Sequence, residues 1–218
     1  MIGTSSDIKT RKDLRVFQLN DLSFEVFVPV QLEIQEAYYE QKAVDETTPF
    51  PYWAKVWPSA IGLSLFLQSN TQYIQNKQVL ELAAGLGLPS LVAAKYAASV
   101  TCSDYVEAPF HYVNASINHH QLQNINCQII NWFALPCNIT ADVILLSDIN
   151  YEPAAFAVLF SMITNFIANK KTIILTTPQR LLAKPFIEKL LPFCKVQTQI
   201  AVIENEQSVW IQVLVLQP

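Results

Sequence analysis

Short apolar strand-like segments alternate with helical segments between residues 78 and 191, and this alternation constrains the fold more than any other feature. The strand-like segments are QVLEL (78–82), SVTCSD (99–104), CQIINW (127–132), ADVILLSD (141–148) and KTIILTT (171–177). The fourth has an unbroken apolar centre, as expected of a strand buried on both faces. Strands that alternate with helices predict a parallel sheet with right-handed crossovers.

The last two strand-like segments follow a different rule. KVQTQIAVI (195–203) and SVWIQVLVL (208–216) are separated by only four residues. A connection this short joins antiparallel strands, because a parallel pair needs a crossover of a dozen residues or more. We therefore predict an α/β fold: a Rossmann-like, doubly wound, mostly parallel seven-stranded sheet that ends in an antiparallel hairpin.

The residues before the sheet predict a small appendage. LRVFQL (14–19) and SFEVFVPV (23–30) flank Asn20-Asp21 and indicate a β-hairpin, and residues 31–44 read as a helix. We divide the chain into an N-terminal appendage, residues 1–48, comprising a flexible tail, the hairpin and the helix, and a ligand-binding domain, residues 49–218. A single large domain agrees with a length of 218 residues.

Composition disfavours several classes of partner. The net charge is −4 and no dense run of Lys and Arg occurs, so no nucleic-acid partner is expected. Apolar runs are far shorter than the roughly 20 residues of a membrane span, and no apolar leader is seen, so we expect a cytoplasmic protein without a membrane partner. Neither the four cysteines nor the three histidines have zinc-ligand spacing, so no metal is expected. The sequence leaves the oligomeric state open.

A glycine-containing loop follows the first strand of the alternating pattern. Gly85 and Gly87 are two of only four glycines in the chain, and they precede a helix. Asp104 ends the next strand, where a carboxylate can accept both hydroxyls of a ribose. Loop and acid together predict a nucleoside-binding site, because glycine lets a ligand approach the backbone closely. The alternative is structural, with a tight turn at the glycines and a helix cap at Asp104.

The residues around this loop narrow the choice of nucleoside. No Gly-Lys-Ser/Thr follows, which excludes a Walker loop. A dinucleotide fingerprint would place Ser90 where Gly or Ala is usual. Glu81 ends the preceding strand, and its carboxylate would repel a pyrophosphate but tolerate the cationic end of S-adenosylmethionine.

Four segments together resemble a known family. VLELAAGLGLPSLVAA and VTCSDY are similar to the first two motifs of the seven-β-strand methyltransferases, and PYWAKVWPSA and DVILLSDINYEP narrow the resemblance to methyltransferase family 16. That group comprises protein-lysine methyltransferases and nicotinamide N-methylase-like proteins. The resemblance covers residues 49–216 and implies S-adenosylmethionine as the cofactor.

The resemblance also implies the residues of the site. The cofactor-binding residues would be Trp53, Trp57, Glu81, Ala83, Gly85, Gly87, Asp104, Asn131, Trp132 and Asp148. Among them, the glycine loop and Glu81 would line the methionine end, Asp104 would hold the ribose, and Asn131-Trp132 would lie against the adenine. The family usually has Gly in place of Ala83, and a positive φ there would strain the loop or shift it.

The Asp-x-x-Tyr motif, Asp148 to Tyr151, carries the catalytic residues that the resemblance implies. Asp148 would orient the acceptor amine and Tyr151 would flank it; a structural alternative is that Asp148 caps the helix before Pro153. Arg180 also follows a strand, and we expect it to form a surface ion pair. His119 and His120 lie late in a polar helix and are expected to be solvated.

These features predict an S-adenosylmethionine-dependent N-methyltransferase that modifies a lysine side chain of a protein. Two alternatives stay open: a small-molecule N-methyltransferase acting on an amine or pyridine, and a catalytically silent binding module that retains the cofactor fold. The partner is accordingly a protein substrate or a small amine. A dinucleotide-dependent oxidoreductase is disfavoured, since 218 residues leave no room for a second substrate domain.

Overall fold

A computed structural model describes residues 10–218; the flexible tail expected at the N-terminus falls largely outside this range. The strands are β1 (Lys12–Leu19), β2 (Leu22–Pro29), β3 (Gln78–Leu82), β4 (Ser99–Asp104), β5 (Ile125–Ile129), β6 (Val143–Ser147), β7 (Thr172–Pro178), β8 (Cys194–Glu204) and β9 (Gln207–Leu216). The α-helices are α1 (Gln31–Val44), α2 (Pro58–Ser69), α3 (Leu88–Ala93), α4 (Phe110–His119), α5 (Phe156–Ala168) and α6 (Lys184–Leu190).

The seven-stranded sheet has the order β5-β4-β3-β6-β7-β9-β8. Strands β3 to β7 are parallel, whereas β9 runs antiparallel to both β7 and β8. The predicted fold class is therefore confirmed. Successive strands leave β3 first toward β5 and then toward β7, so the topology switches between β3 and β6, where open α/β sheets bind their ligands.

Apolar side chains cover both faces of the sheet. One buried cluster packs α2, α3, α4 and the β1–β2 hairpin on one face, and a second packs α5 and α6 on the other. The β6 residues Val143 and Leu145 belong to the first cluster and Ile144 and Leu146 to the second, which explains the unbroken apolar run in this strand. This double cover leaves the strand ends as the place for a site.

Three element boundaries differ from the sequence prediction, each for a local reason. Strand β5 ends at Ile129 rather than at 132, since the Asn131 side chain accepts a hydrogen bond from the Phe133 N–H and turns the chain. Helix α4 begins after Pro109, a residue suited to the start of a helix. Helix α3 ends at Ala93 rather than at 97, where tight-turn hydrogen bonds to Val92 and Ala93 replace the α-helical pattern.

The N-terminal hairpin packs on the main core. Leu19 and Phe24 are buried in the same cluster as the helices of that face. His119 and His120, expected to be solvated, instead hold the hairpin: His119 pairs with the Glu25 carboxylate and His120 Nε2 lies 2.6 Å from the Glu25 carbonyl oxygen. The division at residue 48 stays a prediction. Within residues 10–218, no helix has both the length and the apolar character needed to cross a membrane.

Candidate active site

A cavity of about 290 Å³ opens at the carboxyl ends of the parallel strands. Its walls come from the loops that follow β3, β4, β5, β6 and β7, and its cover comes from the segment before α2. The lining residues used below are Tyr52, Trp53, Lys55, Trp57, Ala83, Gly85, Gly87, Asp104, Tyr105, Trp132, Asp148, Tyr151 and Arg180. A single recess thus collects most of the site residues predicted from the sequence.

Alternate residues of the loop after β3 have a left-handed backbone. The φ angles of Ala83, Gly85 and Gly87 are +53°, +52° and +67°. At Gly87 a Cβ would lie 2.8 Å from the Cys102 sulfur, and at Gly85 it would lie 3.2 Å from the Trp53 carbonyl oxygen. Both glycines are therefore required by backbone angle and by space, and the aromatic segment before α2 sits directly on this loop.

Asp104 joins the loop to the end of β4. It is 3% exposed, its Oδ2 accepts a hydrogen bond from the Gly85 N–H at 2.9 Å, and its Oδ1 accepts one from the Val106 N–H at 3.3 Å. Burial raises the pKa of Asp104 above its ordinary value. Each carboxylate oxygen keeps a further lone pair, so the group can still accept hydroxyl donors from the cavity.

Glu81 lies beneath the loop and is not among the residues that line the cavity. It is fully buried, and its Oε2 accepts hydrogen bonds from the Ser90 N–H at 2.9 Å and the Ser90 hydroxyl at 2.6 Å. Burial raises the pKa of Glu81 to about 8. Its side chain ties the end of β3 to the start of α3 and so holds the loop from below.

Aromatic side chains form much of the cavity wall. Trp53, Trp57 and Trp132 all line it, whereas Asn131 does not; Asn131 is exposed, and its side chain caps the turn after β5. One face of Trp57 carries the Lys55 ammonium, whose Nζ lies 4.6 Å from the ring centroid. The indole of Trp57 therefore already binds a cation, the interaction expected of it toward a sulfonium.

Asp148 and Arg180 form an ion pair in the cavity wall. Both oxygens of the Asp148 carboxylate accept hydrogen bonds from the Arg180 guanidinium, Oδ2 from Nη2 at 2.9 Å and Oδ1 from Nη1. The expected ion pair of Arg180 is found, but in the cavity rather than on the open surface. Asp148 also has a φ of +55°, and its N–H donates to the Thr176 carbonyl oxygen, which aims the side chain away from the strand end.

Tyr151 completes the Asp-x-x-Tyr motif at the mouth of the cavity. Its ring lies 5.4 Å from that of Tyr52, and burial raises the pKa of its hydroxyl to about 12, so the phenol is neutral at physiological pH. Between the two motif ends, Asn150 is fully buried, and neither of its amide atoms has a hydrogen-bond partner in the described chain.

Three lining residues were not expected from the sequence to face the cavity. Tyr105 directly follows Asp104, Arg180 follows β7, and Tyr52 belongs to the aromatic segment before α2. Position after a parallel strand was the available signal for the first two, because carboxyl ends of such strands share one edge. Among residues 10–218 no group of His, Cys, Asp and Glu is arranged to hold a metal ion.

The model of a protein family described as lysine methyltransferases matches residues 43–192. The chain belongs to this family. The predicted resemblance is thereby confirmed, and with it the assignment to the S-adenosylmethionine-dependent methyltransferases at the level of the family.

Individual relatives carry two different names. A histone-arginine methyltransferase of Rattus norvegicus, METTL23, is 31% identical over 149 residues, which cover 65% of this chain and 62% of that protein. A protein N-lysine methyltransferase of Xenopus tropicalis, METTL21A, is 32% identical over 131 residues, covering 58% of this chain and 61% of the relative. The chain thus spans about three fifths of the length of these relatives.

A solved structure supports the fold independently. The magnesium protoporphyrin IX methyltransferase of Synechocystis PCC 6803, determined with bound S-adenosylmethionine, superposes with a TM-score of 0.55 over 71% of this chain and 76% of that one. At 15% sequence identity the likeness concerns the fold alone.

Proposed function

We propose that this chain is an S-adenosylmethionine-dependent N-methyltransferase that modifies a lysine side chain of a protein. The observation that carries the proposal is the position of Asp148: a carboxylate of the Asp-x-x-Tyr motif faces the same cavity as the glycine loop and Asp104. A cofactor site and an anionic acceptor site then share one recess, as methyl transfer to a cationic side chain requires.

The cavity walls suit the cofactor. Asp104 retains free lone pairs for ribose hydroxyls, the left-handed loop from Ala83 to Gly87 presents backbone without bulky side chains, and Trp132 offers an aromatic face to the adenine. When bound, S-adenosylmethionine supplies an electrophilic methyl group on a cationic sulfur. Trp57 lies in the wall where an aromatic face would stabilise that charge.

On the acceptor side the residues of the chain act on the incoming amine. A lysine ammonium, with a reference pKa near 10.4, must lose a proton before its lone pair can attack. Asp148 holds and orients the nitrogen through the lone pairs that Arg180 leaves free, and Arg180 fixes the plane of the carboxylate. Tyr151 stays neutral and flanks the nitrogen with an aromatic face.

An arginine acceptor is the second candidate. The Asp148 carboxylate already accepts two N–H donors from one planar guanidinium, that of Arg180, and so has the geometry that an arginine substrate would use. Several relatives that are about 31% identical carry the name histone-arginine methyltransferase. The small-molecule acceptor and the silent module remain alternatives for the same assay.

The test is a transfer assay with methyl-radiolabelled S-adenosylmethionine and a cell lysate. Label in macromolecules that survives RNase but not protease supports a protein acceptor, and acid hydrolysis then separates methyl-lysine from methyl-arginine. Label confined to small molecules, above a control without enzyme, refutes the protein substrate in favour of an amine or pyridine.

Asp148→Asn tests the acceptor role of the motif. Asparagine tolerates the positive φ of this position but cannot hold an ammonium as an anion, so we expect transfer to fall about 100-fold while S-adenosylhomocysteine binds with unchanged affinity. Glu152→Gln, an exposed carboxylate of the same loop, is the matched control and should keep full activity. Equal loss of binding and transfer in Asp148→Asn would contradict a role on the acceptor side.

A further inference from the structure

A continuous row of aromatic rings leads from the cavity across the surface to α1. Ring centroids are 5.4 Å apart from Tyr151 to Tyr52, 4.9 Å from Tyr52 to Phe50, 5.3 Å from Phe50 to Tyr38, and 5.4 Å from Tyr38 to Tyr39. We call these five residues the aromatic track. Apart from Tyr38, which is buried beneath the others, its members are between 44% and 68% exposed.

Exposure of this kind is unusual for a surface without a ligand. Contiguous apolar surface on a folded protein marks an interaction site, whereas single exposed apolar residues need no explanation. The inner end of the track, Tyr52 and Tyr151, lines the cavity, so the track is continuous with the proposed acceptor site. Its rings are separated by little more than van der Waals contact and present a preformed platform.

Unpaired carboxylates lie beside the outer end of the track. Between residues 31 and 46 the chain has five acidic residues and a single lysine, and one of the acids, Glu33, is paired with Arg11. The other four are exposed and form no ion pair with any residue from 10 to 218. They are Glu36, Glu40, Asp45 and Glu46.

The helical spacing brings two of these acids to the track itself. Glu36 precedes Tyr39 by three residues and Glu40 by four, so Glu36 neighbours both on one face of α1. Two glutamates at this spacing repel each other, and a bound cation would relieve the repulsion. Anionic groups and aromatic faces, side by side, both favour a cationic partner.

We propose that the aromatic track and the acidic face of α1 bind an extended, basic polypeptide segment and deliver one of its side chains to the cavity. This inference rests on the proposed function and specifies its substrate class: a segment rich in Lys or Arg around the methylated residue. Four ring-to-ring steps of this length accommodate at most about six residues of extended chain. A second copy of this chain, with its net charge of −4, lacks the required complementarity.

The test measures peptide binding without methyl transfer. A fluorescein-labelled peptide of alternating Lys and Ala, twelve residues long, is titrated with the full chain and followed by fluorescence anisotropy. A peptide in which Glu replaces Lys is the control for charge. We expect binding of the basic peptide alone, weakened by added salt because exposed charges are screened.

Variants then locate the binding surface. Tyr39→Ala should weaken binding of the basic peptide about tenfold, and Tyr39→Phe, which keeps the ring, should restore it. The double variant Glu36→Lys and Glu40→Lys should abolish binding. Trp210→Ala on β9 and Glu188→Lys on α6 change an exposed indole and an exposed carboxylate elsewhere, and both should bind as the unchanged protein does. None of these residues lines the cavity, so affinity for S-adenosylhomocysteine should be constant throughout.

Equal binding of the acidic and basic peptides, or full binding by both the Tyr39→Ala and the charge-reversed proteins, would overturn the inference. The proposed function fails separately. A protein that binds the basic peptide through the track but transfers no methyl group to any protein supports the docking surface and refutes the activity. A protein that methylates lysates equally well with and without these substitutions retains the activity and refutes the docking surface.

Discussion

Ala83 has a backbone conformation that residues with a Cβ rarely adopt. Its φ of +53° continues the alternation with Gly85 and Gly87, so the loop has the glycine-like path despite the side chain. A left-handed conformation costs an L-residue about 1–2 kcal/mol. The chain thus keeps the shape of the loop that the family resemblance implies, at the expense of local strain.

Ala83→Gly should therefore raise the free energy of unfolding by about 1 kcal/mol, because glycine removes the strain at positive φ. Urea denaturation at neutral pH measures the change. Ala83→Val is the matched opposite and should destabilise, since a β-branched residue is less tolerant of positive φ. A Gly variant less stable than the unchanged protein would show that the methyl group contributes more by packing than the backbone loses by strain.

Glu81 makes stability depend on pH. Its folded pKa of about 8 lies above the ordinary value near 4.5, so the folded protein keeps a proton that the unfolded chain releases between these values. Stability should consequently decrease as the pH rises from about 4.5 to about 8, by up to about 1.4 kcal/mol per pH unit, and then level off.

Glu81→Gln should flatten this dependence, because glutamine keeps the shape and an acceptor for Ser90 without an ionisable group. Free energies of unfolding from urea titrations at pH 5 to 9, for both proteins, provide the measurement. Identical slopes for the two proteins would mean that Glu81 is not the titrating group.

At the scale of elements, the contact between α2 and β9 fixes how a helix lies on the sheet. Gly62, in the middle of α2, faces Ile211 of β9, and a Cβ on Gly62 would lie 2.9 Å from Ile211 Cγ2. Ile211 is fully buried and β-branched, so it cannot turn aside easily. The glycine therefore sets a close approach between helix and strand that helix propensity alone would not select.

Gly62→Ala compares two opposing effects. Alanine gains about 1 kcal/mol in helix propensity over glycine, while overpacking of a well-filled core costs about 1–3 kcal/mol. We expect a net destabilisation of about 1 kcal/mol by thermal or urea unfolding. The double variant with Ile211→Val, which makes room, should recover part of the loss; an Ala variant more stable than the parent would show that the sheet yields.

Binding of the cofactor product concerns the molecule as a whole, since the site joins loops from five strands. A ligand that binds only the folded state, at 100 times its Kd, stabilises by about 2.7 kcal/mol, or about 5–10 °C in Tm for a chain of this size. S-adenosylhomocysteine should produce such a shift. Asp104→Asn should remove it, because the carboxylate is needed to accept two ribose hydroxyls.

Glu107→Gln, an exposed carboxylate of the same loop, is the control and should keep the full shift in Tm. Because burial raises the pKa of Asp104, the affinity of the unchanged protein should also decrease as the pH falls toward that raised value. A normal shift in Asp104→Asn would contradict the proposed ribose contact.

The glycine loop, Asp104 and Asp148 were predictable since each stands at the end of an apolar strand, and carboxyl ends of parallel strands meet. Glu81 and Asn131 were harder, because strand ends alternate in direction and turn locally: Glu81 points under the loop, and Asn131 caps its own turn. Arg180 shows a further limit. Its position after β7 was visible, but its partner lies 32 residues earlier in the chain and depends on the neighbouring of β6 and β7.

The sequence by itself determined the class of fold, the parallel and antiparallel parts of the sheet and the place of the cofactor loop, because hydrophobic periodicity and connection length are local properties. Only the tertiary structure decided the order of the strands, with β9 inserted between β7 and β8, the left-handed conformation of Ala83, and the pairing of Asp148 with Arg180. It also decided that aromatic residues from α1, the segment before α2 and the loop after β6 form one track. These features depend on contacts between residues far apart in sequence, which packing selects and local pattern does not encode.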